Sequence, residues 1–250
     1  MINAIKSEVR KLLTVRSTYV IMLLALALVT LMAFYVEGYW GKSGSPAGSL
    51  APTAVNEILV NTAGLAALFI SIVSVLQVGH EFRYGTIAYT LTANSRRTKA
   101  FFAKGLVLTV FAIIFGMIVA AYSVISYKIG VSLRGASLPP QDLNLSLLLA
   151  KIVLYAIVYG LFGYFLTVIV KNIIVAIAVL LILPSTVEPL LSILLKDNAK
   201  YLPMSTFDAI LGAETGRVGQ ASGPAMILSV VYILVIGLIA WSLFLKRDAN

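Results

Sequence analysis

The residues of this chain that could do chemistry are few and fall in three places. His80-Glu81 opens a stretch ending at Lys104 that holds five of the nineteen Lys and Arg: Arg83, Arg96, Arg97, Lys99 and Lys104. Cations interleaved with apolar Phe82, Ile87, Tyr89 and Leu91 suit contact with lipid phosphate or an acidic protein surface. Glu188 lies in an apolar stretch between Pro184 and Pro189. An ionisable group in a membrane span is a candidate for a translocation path, and nearby prolines can break a helix and admit water. The other reading of Glu188 is a place at the outer interface, in a bent or re-entrant segment. Gly41-Lys42-Ser43 has the ending of a phosphate-binding loop, but the position that must be its first glycine is Val36, so no nucleotide site is assigned.

Other catalytic arrangements lack their parts. No serine sits in a Gly-x-Ser-x-Gly setting, and the one histidine, His80, has no evident nucleophile to serve. There is no cysteine, which removes disulfides, thiol catalysis and thiolate metal sites. The sequence therefore assigns no catalytic residue, no metal ligand and no cofactor-binding residue to this chain.

The elements that must position these groups follow from hydropathy. The chain is 60% hydrophobic and 12% charged, about half the charge of a soluble protein, with mean hydropathy +0.99. Such a composition predicts an all-α polytopic membrane protein forming one transmembrane domain over residues 1–250. Six spans are expected at about residues 18–36, 58–78, 105–127, 146–170, 172–195 and 225–245, each near the length that crosses a bilayer. Leu147 to Leu195 as one helix would be about 74 Å long, so it must turn, and Lys171-Asn172 is the polar break near its middle.

Six spans put the N-terminus, residues 79–104, Lys171 and the C-terminus on one side. That side carries twelve Lys and Arg against Glu8, Glu81 and Asp248; the other carries seven basic and seven acidic residues. The excess marks the cytoplasmic face, with both termini inside. It also accounts for the net charge of +9 without nucleic acid, which is not expected as a partner. Residues 2–16 read as an interfacial helix: Ile2, Ile5, Val9, Leu12 and Leu13 recur at three- and four-residue intervals, with Lys6, Arg10, Lys11 and Arg16 elsewhere around it. Membrane lipid is thus an expected partner. Residues 37–57, rich in Gly, Ser and Pro, read as an external linker. Residues 196–224 are expected outside the membrane, folded onto the outer mouth as a short helix or re-entrant piece.

An interfacial N-terminal helix, six spans, both ends inside and a long basic loop between spans two and three resemble the permeases of type-2 ATP-binding-cassette exporters. The branch is the bacterial one for drug and antimicrobial-peptide resistance. Glu8, Lys11, Leu12, Arg16 and Ser17 look like the family's connecting helix. Glu81, Gly85, Thr86, Leu91, Ser95, Arg96 and Lys104 look like its coupling loop, which docks into the ATPase subunit; Asn94 stands where the family often has proline. The resemblance implies a permease in the cytoplasmic membrane that moves an amphipathic or hydrophobic substrate outward: a peptide antibiotic, a drug or a lipid-linked molecule. It implies a second permease copy, or a related permease, and an ATPase dimer that binds ATP and Mg, so this chain is not itself an enzyme. Glu81, Gly85, Thr86, Leu91, Ser95, Arg96 and Arg97 are the expected ATPase-coupling residues, Glu8, Lys11 and Arg16 belong to the interfacial helix, and Glu188 is the candidate for the path. Glu81 is expected to pair with a basic residue of the loop or of the connecting helix. The alternatives are a non-transporting scaffold or sensor subunit recruiting a cytosolic partner, and a membrane-embedded enzyme.

Overall fold

In a computed structural model of the protein, residues 2–40, 53–86, 97–136, 144–212 and 222–246 are described. Their regular structure is entirely helical: α1 (Ile2–Thr14), α2 (Arg16–Trp40), α3 (Ala54–Arg83), α4 (Arg97–Leu133), α5 (Leu145–Val170), α6 (Ile173–Tyr201), α7 (Pro203–Ile210) and α8 (Ser222–Lys246). The helices α2 to α6 and α8 are long and apolar enough to cross a bilayer, which makes this an all-α protein of the polytopic membrane type. Most outlast the apolar runs that announce them. Hydropathy stops counting at the first charges, whereas a backbone at the membrane boundary keeps its N–H and C=O groups paired by staying helical. The 37-residue α4 is thus about 55 Å long. Helix also enters the expected linker from both ends, through Trp40 and from Ala54.

Burial identifies the centre of the bundle. In their most apolar stretches α3 and α5 are 67% buried, α4 is 44%, and α2, α6 and α8 are 17–22%. The two central helices meet on small residues. A Cβ placed on Gly163 would lie 2.6 Å from the Ser71 carbonyl oxygen, and one on Gly160 would lie 3.1 Å from the Ile70 side chain. Between membrane helices, where lipid is as apolar as leucine, such close backbone approach supplies the packing. The buried hydroxyls there need no partner across the interface: Thr62, Ser71, Ser74 and Thr167 donate to carbonyls three or four residues back on their own helices.

Three irregularities shape the other helices. The second half of α2, Leu31–Trp40, widens to π-helix where its backbone crosses α4; Gly38 and Gly130 face each other there, with no room for a side chain. The α5–α6 link is the predicted one, with Lys171 closing α5 at φ 56° and the Asn172 side chain accepting the backbone N–H of Ile174 and Val175, at 2.9 and 3.3 Å. At Pro184, α6 takes a π-turn (Leu183–Val187) and resumes at Glu188. Proline lacks the N–H that the regular ladder needs and crowds the carbonyl four residues back, which the wider turn relieves.

The expected short helix within residues 196–224 is present as α7. Its Met204, Phe207 and Ile210 are fully buried, and the Phe207 ring contacts Tyr159 and Phe162 of α5 and Tyr232 of α8. Gly163→Val, which forces Cβ and γ-carbons against the Ser71 backbone, should destabilise the fold by about 3 kcal/mol. Gly64→Ala, whose Cβ would meet only the Tyr155 hydroxyl at an ordinary 3.9 Å, should be neutral or slightly stabilising. Thermal unfolding of the two variants in detergent measures the difference.

Candidate functional site: an ion ring joining α1 to the α3–α4 loop

Helix α1 turns a mixed stripe toward the bundle. Ala4, Glu8 and Leu12, at four-residue intervals, are its buried residues, whereas Ile2, Val9 and Leu13 of the predicted apolar face are exposed to surroundings outside the protein. A carboxylate therefore sits in the middle of the buried stripe, and its partners explain why. Lys104 Nζ donates to Glu8 Oε2 at 2.5 Å and to Glu81 Oε1 at 2.8 Å. Lys11 Nζ donates to Glu8 Oε1 at 2.7 Å and to Glu81 Oε1 at 2.8 Å. Four side chains close a ring of alternating sign, Glu8–Lys11–Glu81–Lys104, with no net charge. Glu8, Glu81 and Lys104 expose about 8% of their side chains, and Lys11 a third.

Desolvation works against every charge in the ring, and neighbours of opposite sign offset it. Burial tends to raise the Glu8 pKa, but Lys104 and Lys11 outweigh it and hold the carboxyl below its ordinary value. Burial tends to lower Lys11, but hydrogen bonds to Glu8 and Glu81 keep it above its ordinary value. Glu81 Oε2 has no hydrogen-bond partner among the described residues; Glu81 also lines a cavity of about 10 Å³ with Lys104, Phe101 and Tyr164, close to the room one water needs.

The surrounding contacts bring α2, α5, α8 and the α5–α6 link to the same end. The Tyr164 hydroxyl of α5 donates to the Phe101 carbonyl of α4 at 3.0 Å, and the Phe101 ring packs on Phe165 and on Phe244 of α8. Arg97 donates to the carbonyl of Leu245 at 3.2 Å. Lys171 lies over the Phe82 ring, and Gln77 of α3 donates to Thr18 of α2. The last turn of α3 stops at Tyr84, followed by Gly85 at φ 64°, the left-handed position that glycine takes after a helix.

Of the expected coupling residues, Glu81 is in the ring, Gly85 and Thr86 follow the end of α3, and Arg97 is the first residue of α4. Leu91, Ser95 and Arg96 lie outside the described residues. Of the interfacial-helix residues, Glu8 and Lys11 are in the ring, while Arg16 is exposed at the start of α2. The expected pairing of Glu81 with a connecting-helix cation is present. Lys104, at the end of the basic stretch, answers the same expectation from the loop side; its second contact, to Glu8, which closes the ring, was not foreseen.

Glu188 sits at the opposite end. It is almost fully buried, accepting the N–H of Met204 at 2.7 Å, the N–H of Ser205 at 2.8 Å and the Ser205 hydroxyl at 2.9 Å. Its carboxylate thus caps the first turn of α7, where exposed N–H groups and the helix dipole favour a negative charge. Asp208, one turn further along, accepts from the hydroxyls of Tyr155 and Tyr159 at 2.8 and 3.1 Å. This second carboxylate was not predicted; the i, i+4 tyrosines of α5 were its only sign. Among the described residues no three His, Cys, Asp or Glu come together as metal ligands, and Glu8 and Glu81, which do converge, are occupied by lysines.

Fold and site define a helical protein of the membrane type, with six membrane-length helices among the described residues and its N-terminal helix ion-paired to the base of the bundle. The chain belongs to the family described as Protein of unknown function (DUF2705), which matches residues 18–249. That match holds Glu81 and Lys104, while Glu8 and Lys11 precede it. No curated protein matches the chain.

Removing one member of the ring leaves a buried charge without its partner, so Lys104→Met should cost about 3–5 kcal/mol, against about 0–1 kcal/mol for exposed Arg16→Met. Adding Glu8→Gln to Lys104→Met, which leaves Lys11 and Glu81 as a neutral pair at 2.8 Å, should recover part of the loss; thermal unfolding reads all three. Attachment of α1 should also depend on pH. The Glu8 contribution is complete above its ordinary pKa of 4.5 and fades as pH falls through its lowered folded value. The Lys11 contribution is complete below 10.5 and fades as pH rises through its raised folded value. A fluorophore on Ser7→Cys, the sole thiol in a chain without cysteine, should report α1 release outside that window only. The α7 cap predicts that Glu188→Ala frees α7 at a cost of about 2 kcal/mol, seen as faster proteolysis near residues 203–210 with the remaining helices intact.

Proposed function

We propose that this chain is the membrane permease subunit of an ATP-driven exporter of the type-2 ATP-binding-cassette kind. It spans the cytoplasmic membrane with both termini inside, as the Lys and Arg excess on the side of α1, the α3–α4 loop, Lys171 and the C-terminus suggests. The observation that carries the reading is the ion ring. A loop that receives force from a cytosolic partner must be anchored to what it moves. Glu81 stands one turn before the loop, Lys104 two turns after it begins α4, and Glu8 and Lys11 clamp both to α1. A push on residues 84–96 would then move α1 and the cytoplasmic ends of α3 and α4 together instead of bending the loop alone.

In this reading Gly85, Thr86, Leu91, Ser95, Arg96 and Arg97 meet the ATPase, with Glu81 as the anchor. ATP and Mg bind on the partner, which works as a dimer with two permease copies or two related permeases. The substrate is an amphipathic or hydrophobic molecule such as a peptide antibiotic, a drug or a lipid-linked compound, and its export is the source of resistance. Glu188 would reach a path only if α7 moved, because both of its oxygens are committed to that helix.

The test is purification from the native membrane in mild detergent, followed by ATPase assay of the complex. A stoichiometric ATPase should accompany the chain. Charge reversal at Arg96 and Arg97 should abolish substrate-stimulated turnover while unfolding temperature stays within about 2 °C of the parent. Normal stimulation in those variants defeats the coupling assignment. A partner without a nucleotide-binding fold would favour the scaffold reading.

A further inference from the structure

Beside the ion ring, α1, α2 and α4 enclose an open cavity of about 430 Å³. Ile5, Val9 and Leu13 of α1, Met22 of α2, and Val110 and Ile114 of α4 are among its walls, and the accessible lining is wholly apolar. We propose that it holds an acyl chain of an anionic phospholipid from the leaflet on the α1 side, with the lipid phosphate bound by Lys6 and Arg10.

The geometry of α1 supports that occupant. Successive residues of a helix are 100° apart, so three faces can be told apart. Ala4, Glu8 and Leu12 point to the bundle; Ile5, Val9 and Leu13 line the cavity, which Leu12 also borders from the bundle side. Lys6 and Arg10 each come one residue after a cavity-lining residue, one step further round, and both are exposed. Among the described residues neither has an ion pair. Apolar walls with two cations on the adjoining face match a molecule with a hydrocarbon chain and a phosphate at its end. A zwitterionic lipid offers the same chain but no net charge, so the cations separate the two. The ion ring supports the site indirectly, because Glu8 fixes the rotation of α1 and hence which face turns to the cavity. The proposal needs only that the long helices cross a bilayer, and it stands or falls apart from the transporter reading.

The test uses the full-length protein in vesicles containing phosphatidylglycerol or phosphatidylcholine, each carrying a photoreactive group on the acyl chain. Peptides spanning residues 5–22 and 106–114 should take up the phosphatidylglycerol label preferentially. Lys6→Gln and Arg10→Gln should each reduce that preference, by about fivefold per charge removed. Val110→Trp, which narrows the cavity, should weaken labelling of those peptides by either lipid, and the unaltered protein's preference needs no variant that must fold. Equal labelling by the two lipids, labelling spread evenly along all lipid-facing helices, or a preference unchanged in the glutamine variants would each overturn the proposal.

Discussion

Two carboxylates and two ammonium groups held out of water must neutralise one another, and the base of this molecule is arranged around that requirement. An isolated charge at such a depth costs several kcal/mol, so Glu8, Lys11, Glu81 and Lys104 tolerate burial only as a closed set. They come from three stretches of chain: two from α1, one from the end of α3 and one from the start of α4. The ring therefore fixes the rotation and position of α1 against the bundle, and it ties together the two sides of the α3–α4 loop. An apolar stripe would hold α1 against the bundle more loosely, because hydrophobic contact has no direction.

The bundle behind the ring is built on a different principle. Serine and threonine hydroxyls satisfy themselves on their own helices, and α3 meets α5 through glycines and small residues. Charge is confined to the two ends: the ring at one, and at the other the pair of carboxylates that attach α7. Glu188 caps the N-terminus of α7 and Asp208 joins its body to two tyrosines of α5. Each end thus carries a short helix held by polar contacts against a core of apolar spans, and such contacts respond to pH and to bound partners more readily than buried apolar packing does.

Much of this was legible in the sequence, for reasons that differ by element. The spans follow from uninterrupted apolar runs, and the α5–α6 turn follows from Lys171-Asn172, because an unbroken run of that length exceeds a bilayer. Gly85 as a helix stop was readable too, since a left-handed position favours glycine. The faces of α1 were harder. Its apolar spacing suggested one lipid-facing stripe, but Glu8 lies on the neighbouring face that packs inward. No rule of periodicity says that Glu8 is buried when the cation that draws it inward, Lys104, lies 96 positions away.

What the sequence by itself determined is the class: an all-α chain with six membrane-length helices and no cysteine, with a single histidine. Local properties suffice for that, because hydropathy and helix length act within twenty or so neighbouring residues. Only the tertiary structure decided that Glu81 and Lys104 belong to a ring with Glu8 and Lys11, that Glu188 is a helix cap, that Asp208 joins Tyr155 and Tyr159, and that α1 roofs an apolar cavity. Each of these depends on how helices rotate and meet, which is set by glycine contacts such as Gly163 on Ser71 and Gly38 on Gly130 and by the neutralisation of buried charge. Those are relations between distant segments, and no single segment carries them.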